Sequence, residues 1–187
     1  MSMSYGDVVR WLWVAWLAYW IWHAWGNKKT VFKGGRQGLV VGILLLWLAL
    51  DVSGHAGVRW HERVIPETPA WQMIGVILVA AGLGFSVVAR RCLGTNWSGQ
   101  PTLKEGHELI TSGPYRYVRH PIYTGLLAAI VGTALVHGEL LYFAIVAFAV
   151  VGLHFKAKTE EGLMRQQFPE AYPDYARRTK ALIPWVL

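Results

Sequence analysis

The chain is dominated by long apolar runs that are separated by short polar segments. The runs that could cross a membrane cover residues 8–25, 38–53, 70–89, 121–137 and 140–155. A helix needs about 20 apolar residues to cross about 30 Å of hydrocarbon, so the second, fourth and fifth runs are near the short limit. The pattern predicts an all-α integral membrane protein with about five transmembrane helices.

The last two runs are joined by a very short connection, residues 137–139. So short a link predicts an antiparallel helical hairpin, whose two free ends lie on the same side of the membrane. The fifth run continues without a helix breaker into a polar segment that carries Lys156 and Glu160. We therefore expect His120, at the start of the fourth helix, to lie near Glu160.

Composition supports the membrane interpretation. Hydrophobic residues make up 54% of the chain and charged residues 16%, which is unusual for a soluble domain. The net charge of +7 is compatible with a nucleic-acid binder or with a membrane protein that has basic cytoplasmic loops. The basic residues stand at the ends of the apolar runs, so we favour the membrane and expect no nucleic-acid partner.

The basic residues also predict an orientation, because lysine and arginine are enriched in cytoplasmic loops. With five crossings, all but three of the 18 lysines and arginines fall on one side of the membrane. This places the N-terminus outside and the C-terminus in the cytoplasm. The chain then divides into residues 1–89, with three transmembrane helices, and residues 90–187. The second region contains a cytoplasmic connector, the transmembrane hairpin and a cytoplasmic tail.

Several conspicuous residues have a structural explanation. Trp13, Trp16 and Trp20 share one face of the first helix, which we interpret as interface anchoring and helix packing rather than an aromatic substrate box. Three glycines in the third run favour close helix packing. They are Gly75, Gly82 and Gly84. The histidines of the loop near residue 60 lack helical HExxH spacing, so we expect no metal site.

The start of the fourth helix is a candidate binding site. Pro121 suits the first helical position, because its fixed φ and missing N–H cost nothing there. Arg119 and His120 then lie at a helix N-terminus, which favours anions. Lys156 and Glu160 are four residues apart and share one helix face. Together these charges would suit a zwitterionic ligand, although a Lys/Glu pair alone is more typical of a salt-bridged helix at the membrane boundary.

Three segments of the chain together resemble the isoprenylcysteine carboxyl methyltransferase family. They are LGTNWSG, HELITSGPYRYVRHPIYTG and TEEGLMRQQFPEAYPDY, in the family's order and spacing within residues 90–185. The wider superfamily includes phospholipid N-methyltransferases and small-thiol S-methyltransferases. The resemblance implies a membrane enzyme whose cytoplasmic segments hold S-adenosyl-L-methionine over the hairpin. Its acceptor would be a lipophilic or prenylated molecule from the lipid bilayer.

The resemblance, with the charges described above, also implies a set of cofactor-binding residues. They are Gln100, His107, Glu108, Leu109, Ile110, Tyr115, Arg119, His120, Pro121, Ile122, Tyr123, Glu160 and Glu161. One helical turn before Glu160 the family has an arginine that binds the substrate carboxylate, whereas this sequence has Lys156. We assign Lys156 as the catalytic residue that orients the acceptor, although lysine lacks the planar fork of arginine.

The favoured function is S-adenosylmethionine-dependent carboxyl O-methylation of a prenylcysteine-like acceptor. Methylation of a small thiol or of a phospholipid amine remains open, because these motifs do not specify the acceptor. Two alternatives belong to other classes. One is an NADPH-dependent sterol-type membrane reductase, against which the length of 187 residues argues. The other is a non-catalytic membrane protein. The sequence does not indicate an oligomeric state.

Overall fold

The protein is predominantly helical in the part of the chain that the structure describes. The structure is a computed structural model, and it describes residues 3–23, 30–33, 57–94, 102–104 and 109–182. The helices are α1 (Tyr5–Trp22), α2 (Pro69–Leu93), α3 (Pro121–His137), α4 (Leu140–Gln167) and α5 (Ala171–Arg178). Two short strands, β1 (Thr30–Lys33) and β2 (Thr102–Lys104), form an antiparallel pair, and a 3-10 turn covers Gly113–Arg116.

The helix boundaries agree well with the apolar pattern of the sequence. Helix α3 has the predicted bounds, and α4 begins at the predicted residue and continues through the polar segment. Helix α1 begins and ends slightly before the first run, and α2 extends beyond the third run at both ends. The second run, 38–53, lies outside the described residues.

The β1–β2 pair was not predicted, and a strictly all-α description is therefore too narrow. Thr30 lies opposite Lys104, and the register is irregular between Thr30 and Phe32. Strands of four and three residues are too short to produce a recognisable alternation of apolar and polar positions. The pair connects the segment after α1 to the connector after α2.

Helices α2 and α3 make the closest helix contact in the described structure, through glycines. A Cβ atom added at Gly82 would lie 2.5 Å from the carbonyl oxygen of Gly125, and one at Gly75 would lie 2.6 Å from that of Gly132. The predicted packing role of Gly75 and Gly82 is confirmed. It is wrong for Gly84, where an added Cβ would meet nothing within 4 Å. Gly125 makes room for a neighbouring helix backbone.

Helix α1 packs on α2 and α3 through its tryptophans. The indole N–H of Trp13 donates to Thr133 Oγ1 at 3.1 Å, and that of Trp16 donates to Ser86 Oγ at 2.8 Å. The rings of Trp16 and Trp20 stack with centroids 4.3 Å apart. These contacts confirm the packing interpretation, because buried indole nitrogens need hydrogen-bond acceptors.

The predicted antiparallel hairpin of α3 and α4 is confirmed. Gly138 ends α3 in the left-handed region at φ +68°, where glycine carries no Cβ penalty. The first N–H groups of α4, those of Leu140 and Leu141, donate to carbonyls of the loop 60–65 at 3.0 and 2.9 Å. The loop thereby satisfies helix-terminal donors that would otherwise lack partners.

Apolar side chains cover much of the outer surface of the helices. Among the described residues, α2 and α4 are long and apolar enough to cross a membrane, and α3 is a shorter apolar helix. Val150, Val151 and Phe155 of α4 are all exposed. A soluble monomer rarely exposes a contiguous apolar surface of this kind, so the helices are suited to a lipid environment.

Candidate functional site

The start of α3 meets the polar extension of α4 (residues 156–167) at the hairpin end opposite Gly138. His120 Nδ1 lies 3.5 Å from Glu160 Oε2, and His120 Nε2 lies 3.3 Å from Glu161 Oε1. The hydroxyl of Tyr123 donates to Glu160 Oε1 at 2.5 Å. The predicted approach of His120 to Glu160 is confirmed. We refer to His120, Tyr123, Glu160 and Glu161 as the polar cluster.

Lys156 lies beside the polar cluster, one helical turn before Glu160. Its ammonium nitrogen is 5.3 Å from the centroid of the Tyr123 ring, within the range of a cation–π contact. The rings of His120 and Tyr123 are nearly parallel, with centroids 5.4 Å apart. Tyr123 therefore connects Lys156, Glu160 and His120 in one small group.

Arg119 is used within the protein itself. Its Nε donates to Glu161 Oε1 at 2.8 Å, and its Nη1 donates to the carbonyl of Ala176 at 3.1 Å and to that of Thr179. These acceptors are a carboxylate of α4 and two carbonyls at the C-terminal end of α5. The guanidinium thus joins three parts of the site.

The residues from 171 to 182, which we call the C-terminal strap, pack against the start of α3. The backbone N–H groups of Arg119 and His120 donate to strap carbonyls at 2.8 and 3.0 Å. The hydroxyl of Thr124 donates to the carbonyl of Leu182 at 2.5 Å. The sequence did not reveal this contact, because the pairing of segments about sixty residues apart leaves no local pattern.

A buried tyrosine pair gives the strap a second attachment. The hydroxyl of Tyr175 donates to the backbone carbonyl of Tyr115 at 2.7 Å. Burial raises the pKa of Tyr175 to about 12, so its hydroxyl stays protonated and remains a donor at neutral pH. Neither Tyr175 nor Thr124 was among the expected site residues.

Several expected cofactor residues form the apolar floor of the site. Tyr115, Ile122 and Tyr123 are buried in one cluster, and Ile110 packs against it. Pro121 is almost fully buried. Burial also raises the pKa of the Tyr115 hydroxyl well above its usual value. Gln100, His107 and Glu108 lie outside the described residues.

A cleft of about 730 Å³ opens between the connector and the strap. Leu109 lies on its connector side. The residues that line it are Leu109, Thr111, Arg116, Ala171, Asp174, Tyr175, Arg178 and Thr179. The volume is within the usual range for small-molecule sites.

The polar cluster places the His120 ring between two carboxylates, an environment that favours its protonated form. Burial disfavours the charged imidazolium, but hydrogen bonds and negative charge from Glu160 and Glu161 outweigh it and raise the pKa of His120 above 6.5. Both ring nitrogens face carboxylate oxygens, the arrangement that two N–H donors require. Burial acts to raise the pKa of Glu161, but hydrogen bonds from His120 and Arg119 hold it at about 2.

These pKa shifts predict a specific pH dependence of stability. Glu161 stabilises the fold above about pH 4.5, and this contribution is lost as the pH falls towards 2. His120 has the opposite sign, because its contribution is present below pH 6.5 and is lost as the pH rises through its raised pKa. Melting curves of Glu161→Gln and His120→Gln in detergent test this.

The two variants should respond in opposite directions. The difference in melting temperature between the wild type and Glu161→Gln should shrink mainly in acid, and the difference between the wild type and His120→Gln should shrink mainly as the pH rises. A difference in melting temperature that does not change with pH in either comparison would contradict the ion-pair description of the cluster.

Comparisons with known proteins agree with this architecture. The family model for phospholipid methyltransferase matches residues 71–171. The chain is 31% identical over 156 residues to the nickel-cobalt-cadmium resistance protein NccN of Alcaligenes xylosoxydans xylosoxydans. The matched region covers 83% of this chain and 66% of that protein. It is also 37% identical over 86 residues to protein-S-isoprenylcysteine O-methyltransferase B of Arabidopsis thaliana. That match covers 44% of this chain and 43% of that protein.

The fold is also similar to a solved structure of the eukaryotic intramembrane Ras methyltransferase ICMT (isoprenylcysteine carboxyl methyltransferase). The TM-score is 0.54 at 22% identity, over 83% of this chain and 55% of that chain. This likeness identifies an integral membrane fold. The chain spans just under two-thirds of the resistance protein and less than half of the plant methyltransferase. Because the family model matches more than half of the chain, the protein belongs to the phospholipid methyltransferase family.

Proposed function

We propose that the protein is a membrane-embedded methyltransferase that uses S-adenosyl-L-methionine and acts on a lipophilic acceptor. Our first choice of reaction is carboxyl O-methylation of a prenylcysteine-like substrate. The observation that carries the proposal is the contact of Tyr123 with both Glu160 and Lys156 at the open end of the hairpin. It combines a carboxylate and an ammonium in the region that the family model covers.

The residues at this site fit the charges of the cofactor. S-adenosylmethionine carries a sulfonium, an ammonium and a carboxylate, so its binding site needs both an anion and cations. Arg119 and His120 both contact Glu161, whereas Glu160 contacts the neutral hydroxyl of Tyr123 as well as His120. Glu160 would therefore accept hydrogen bonds from a cationic or hydroxyl group of the cofactor.

The protein would contribute mainly position and environment to the reaction. Bound S-adenosylmethionine would supply an electrophilic methyl group on a positively charged sulfur. Lys156 would hold an anionic acceptor, with its ammonium kept in place by the Tyr123 ring. Correct alignment can lower a barrier by about 7–11 kcal/mol in the best intramolecular cases. A carboxylate acceptor is already charged, so the site needs no general base for it.

The apolar surroundings support an acceptor with a lipid-like tail. Leu126, Leu127 and Leu153 pack around the buried cluster below Tyr123. Apolar walls exclude water and strengthen the attraction between an anionic acceptor and a cationic methyl donor. Residues 90–187 would then form the catalytic region, and residues 1–89 would form the accompanying transmembrane helices. The distribution of lysine and arginine supports a cytoplasmic active site and an external N-terminus.

One observation favours a second acceptor class. Lys156 stands where the related family has an arginine, and lysine binds a carboxylate as a point charge rather than through a bidentate fork. A small thiolate needs only a point charge. Methylation of a small thiol is therefore the second candidate, with phospholipid N-methylation behind it.

A ligand-binding comparison tests the proposal against the reductase alternative. Purified protein should melt at a higher temperature in the presence of S-adenosylmethionine, because a ligand that binds only the folded state stabilises it. NADPH at the same concentration should produce no shift. Stabilisation by NADPH alone would favour a reductase, and no shift with either ligand would favour a non-catalytic membrane protein.

A further inference from the structure

We infer that Arg119 is a positioning residue, which fastens the C-terminal strap to the polar cluster and so couples closure of the strap to cofactor affinity. The coupling to affinity rests on the function proposed above. The fastening itself is a property of the protein alone and can be measured without any cofactor.

The contacts of Arg119 support this role. Its side chain is 13% exposed, and its partner Glu161 is 14% exposed. The same guanidinium also reaches the carbonyls of Ala176 and Thr179, at the end of α5. The last carbonyls of a helix lack partners within the helix, and a planar guanidinium can serve several acceptors at once. The Arg119 guanidinium thus caps the C-terminal end of α5 and at the same time pairs with Glu161 of α4.

The polar cluster depends on the same carboxylate. Glu161 Oε1 accepts from Arg119 Nε at 2.8 Å and lies 3.3 Å from His120 Nε2. The other ring nitrogen of His120 faces Glu160. If the Arg119 guanidinium followed the strap away from Glu161, this carboxylate would lose one of its partners and would be held less firmly beside His120. The orientation of Glu160 would change with them.

A second attachment of the strap is a hydrogen bond between two uncharged groups. The hydroxyl of Tyr175 donates to the carbonyl of Tyr115 in a buried position, and its raised pKa keeps this hydroxyl neutral. Weakening this attachment should loosen the strap without altering any charge beside Glu160. It therefore separates the effect of the strap from a direct electrostatic effect on the site.

The test compares two variants of the full chain in lipid nanodiscs. Arg119→Lys keeps the charge but loses the fork, and Tyr175→Phe removes only the second attachment. Hydrogen exchange of the peptide 171–182, measured without cofactor, should become about tenfold faster in both variants, because each loses a buried hydrogen bond or more. Arg177→Gln is the control, since Arg177 is exposed and pairs only with Asp174 in the contacts described. It should exchange like the wild type.

The same variants should show weaker cofactor affinity with little change in maximal rate. The KM for S-adenosylmethionine should rise about tenfold in both, while kcat stays near the wild-type value. A merely structural role would lower kcat through loss of active protein and leave KM unchanged.

Unchanged hydrogen exchange in both variants would overturn the fastening, and faster exchange with unchanged KM would overturn the coupling. Failure of the wild type to bind S-adenosylmethionine would refute the proposed function instead. The exchange rates of the variants would still support or contradict the fastening.

Discussion

Gly82→Val is expected to prevent α2 from packing on α3 and to leave little folded protein. A Cβ at this position would lie 2.5 Å from the carbonyl oxygen of Gly125 and 2.8 Å from the backbone nitrogen of Ala129. Both obstacles are backbone atoms, so no side chain can rotate away and the helices must separate. Overpacking costs about 1–3 kcal/mol where side chains can adjust, and we expect a larger cost here. The unfolding midpoint in detergent and the monodisperse yield measure the effect.

A matched control is available in the same helix. Gly84 is two residues away, and a Cβ there would meet nothing within 4 Å. Gly84→Val introduces the same β-branched side chain and the same helix propensity, but no helix contact is lost. It should fold with a midpoint close to that of the wild type. Equal destabilisation of both variants would show that helix propensity, and not helix contact, determines the loss at Gly82.

Glu160→Gln is expected to weaken S-adenosylmethionine binding by at least tenfold. Hydrogen bonds to charged groups contribute about 1.5–3 kcal/mol, which corresponds to roughly ten- to hundredfold in affinity. The amide keeps the size of the side chain and can still accept from the Tyr123 hydroxyl. The loss therefore reports the negative charge. Calorimetry or equilibrium dialysis of the purified protein measures it.

Two further variants show whether a loss of cofactor affinity is specific to the polar cluster. His120→Ala should also weaken binding by at least tenfold, because it removes the group that faces both carboxylates. Glu67→Gln is the control, since this glutamate forms an exposed pair with Arg63 near the opposite end of the hairpin. Unchanged affinity in both Glu160→Gln and His120→Ala would refute the assignment of the site.

The part of the site that the sequence predicts well is the part with local signals. Pro121 and Gly138 mark the two ends of α3, and the structure has its boundaries there. A connection of two residues forces α3 and α4 to run side by side, which is why the approach of His120 to Glu160 could be expected. Helix periodicity then places Lys156 and Glu160 on one face. None of these steps needs information about distant contacts.

The remaining features depend on contacts between distant segments. The sequence indicates that Gly82 favours close helix packing, but it does not show that Gly125 is its partner. The pairing of the strap with Arg119 and His120 involves backbone groups, which leave no trace in side-chain pattern. These distant contacts also affect the anion site that the sequence predicts at the start of α3. In the structure the Arg119 side chain there contacts Glu161 and carbonyls of the protein itself.

The most direct test of the central claim is methyl transfer by the purified protein. Tritiated S-adenosylmethionine is incubated with a lipid extract and with prenylcysteine, thiol and amine acceptors, using the wild type, Glu160→Gln and Lys156→Arg. We expect label in an organic-soluble acceptor with the wild type, at least tenfold less with Glu160→Gln, and a shift towards carboxylate acceptors with Lys156→Arg. Absence of label from every acceptor, or transfer by Glu160→Gln at the wild-type rate, would contradict a methyltransferase site built on Tyr123, Lys156 and Glu160.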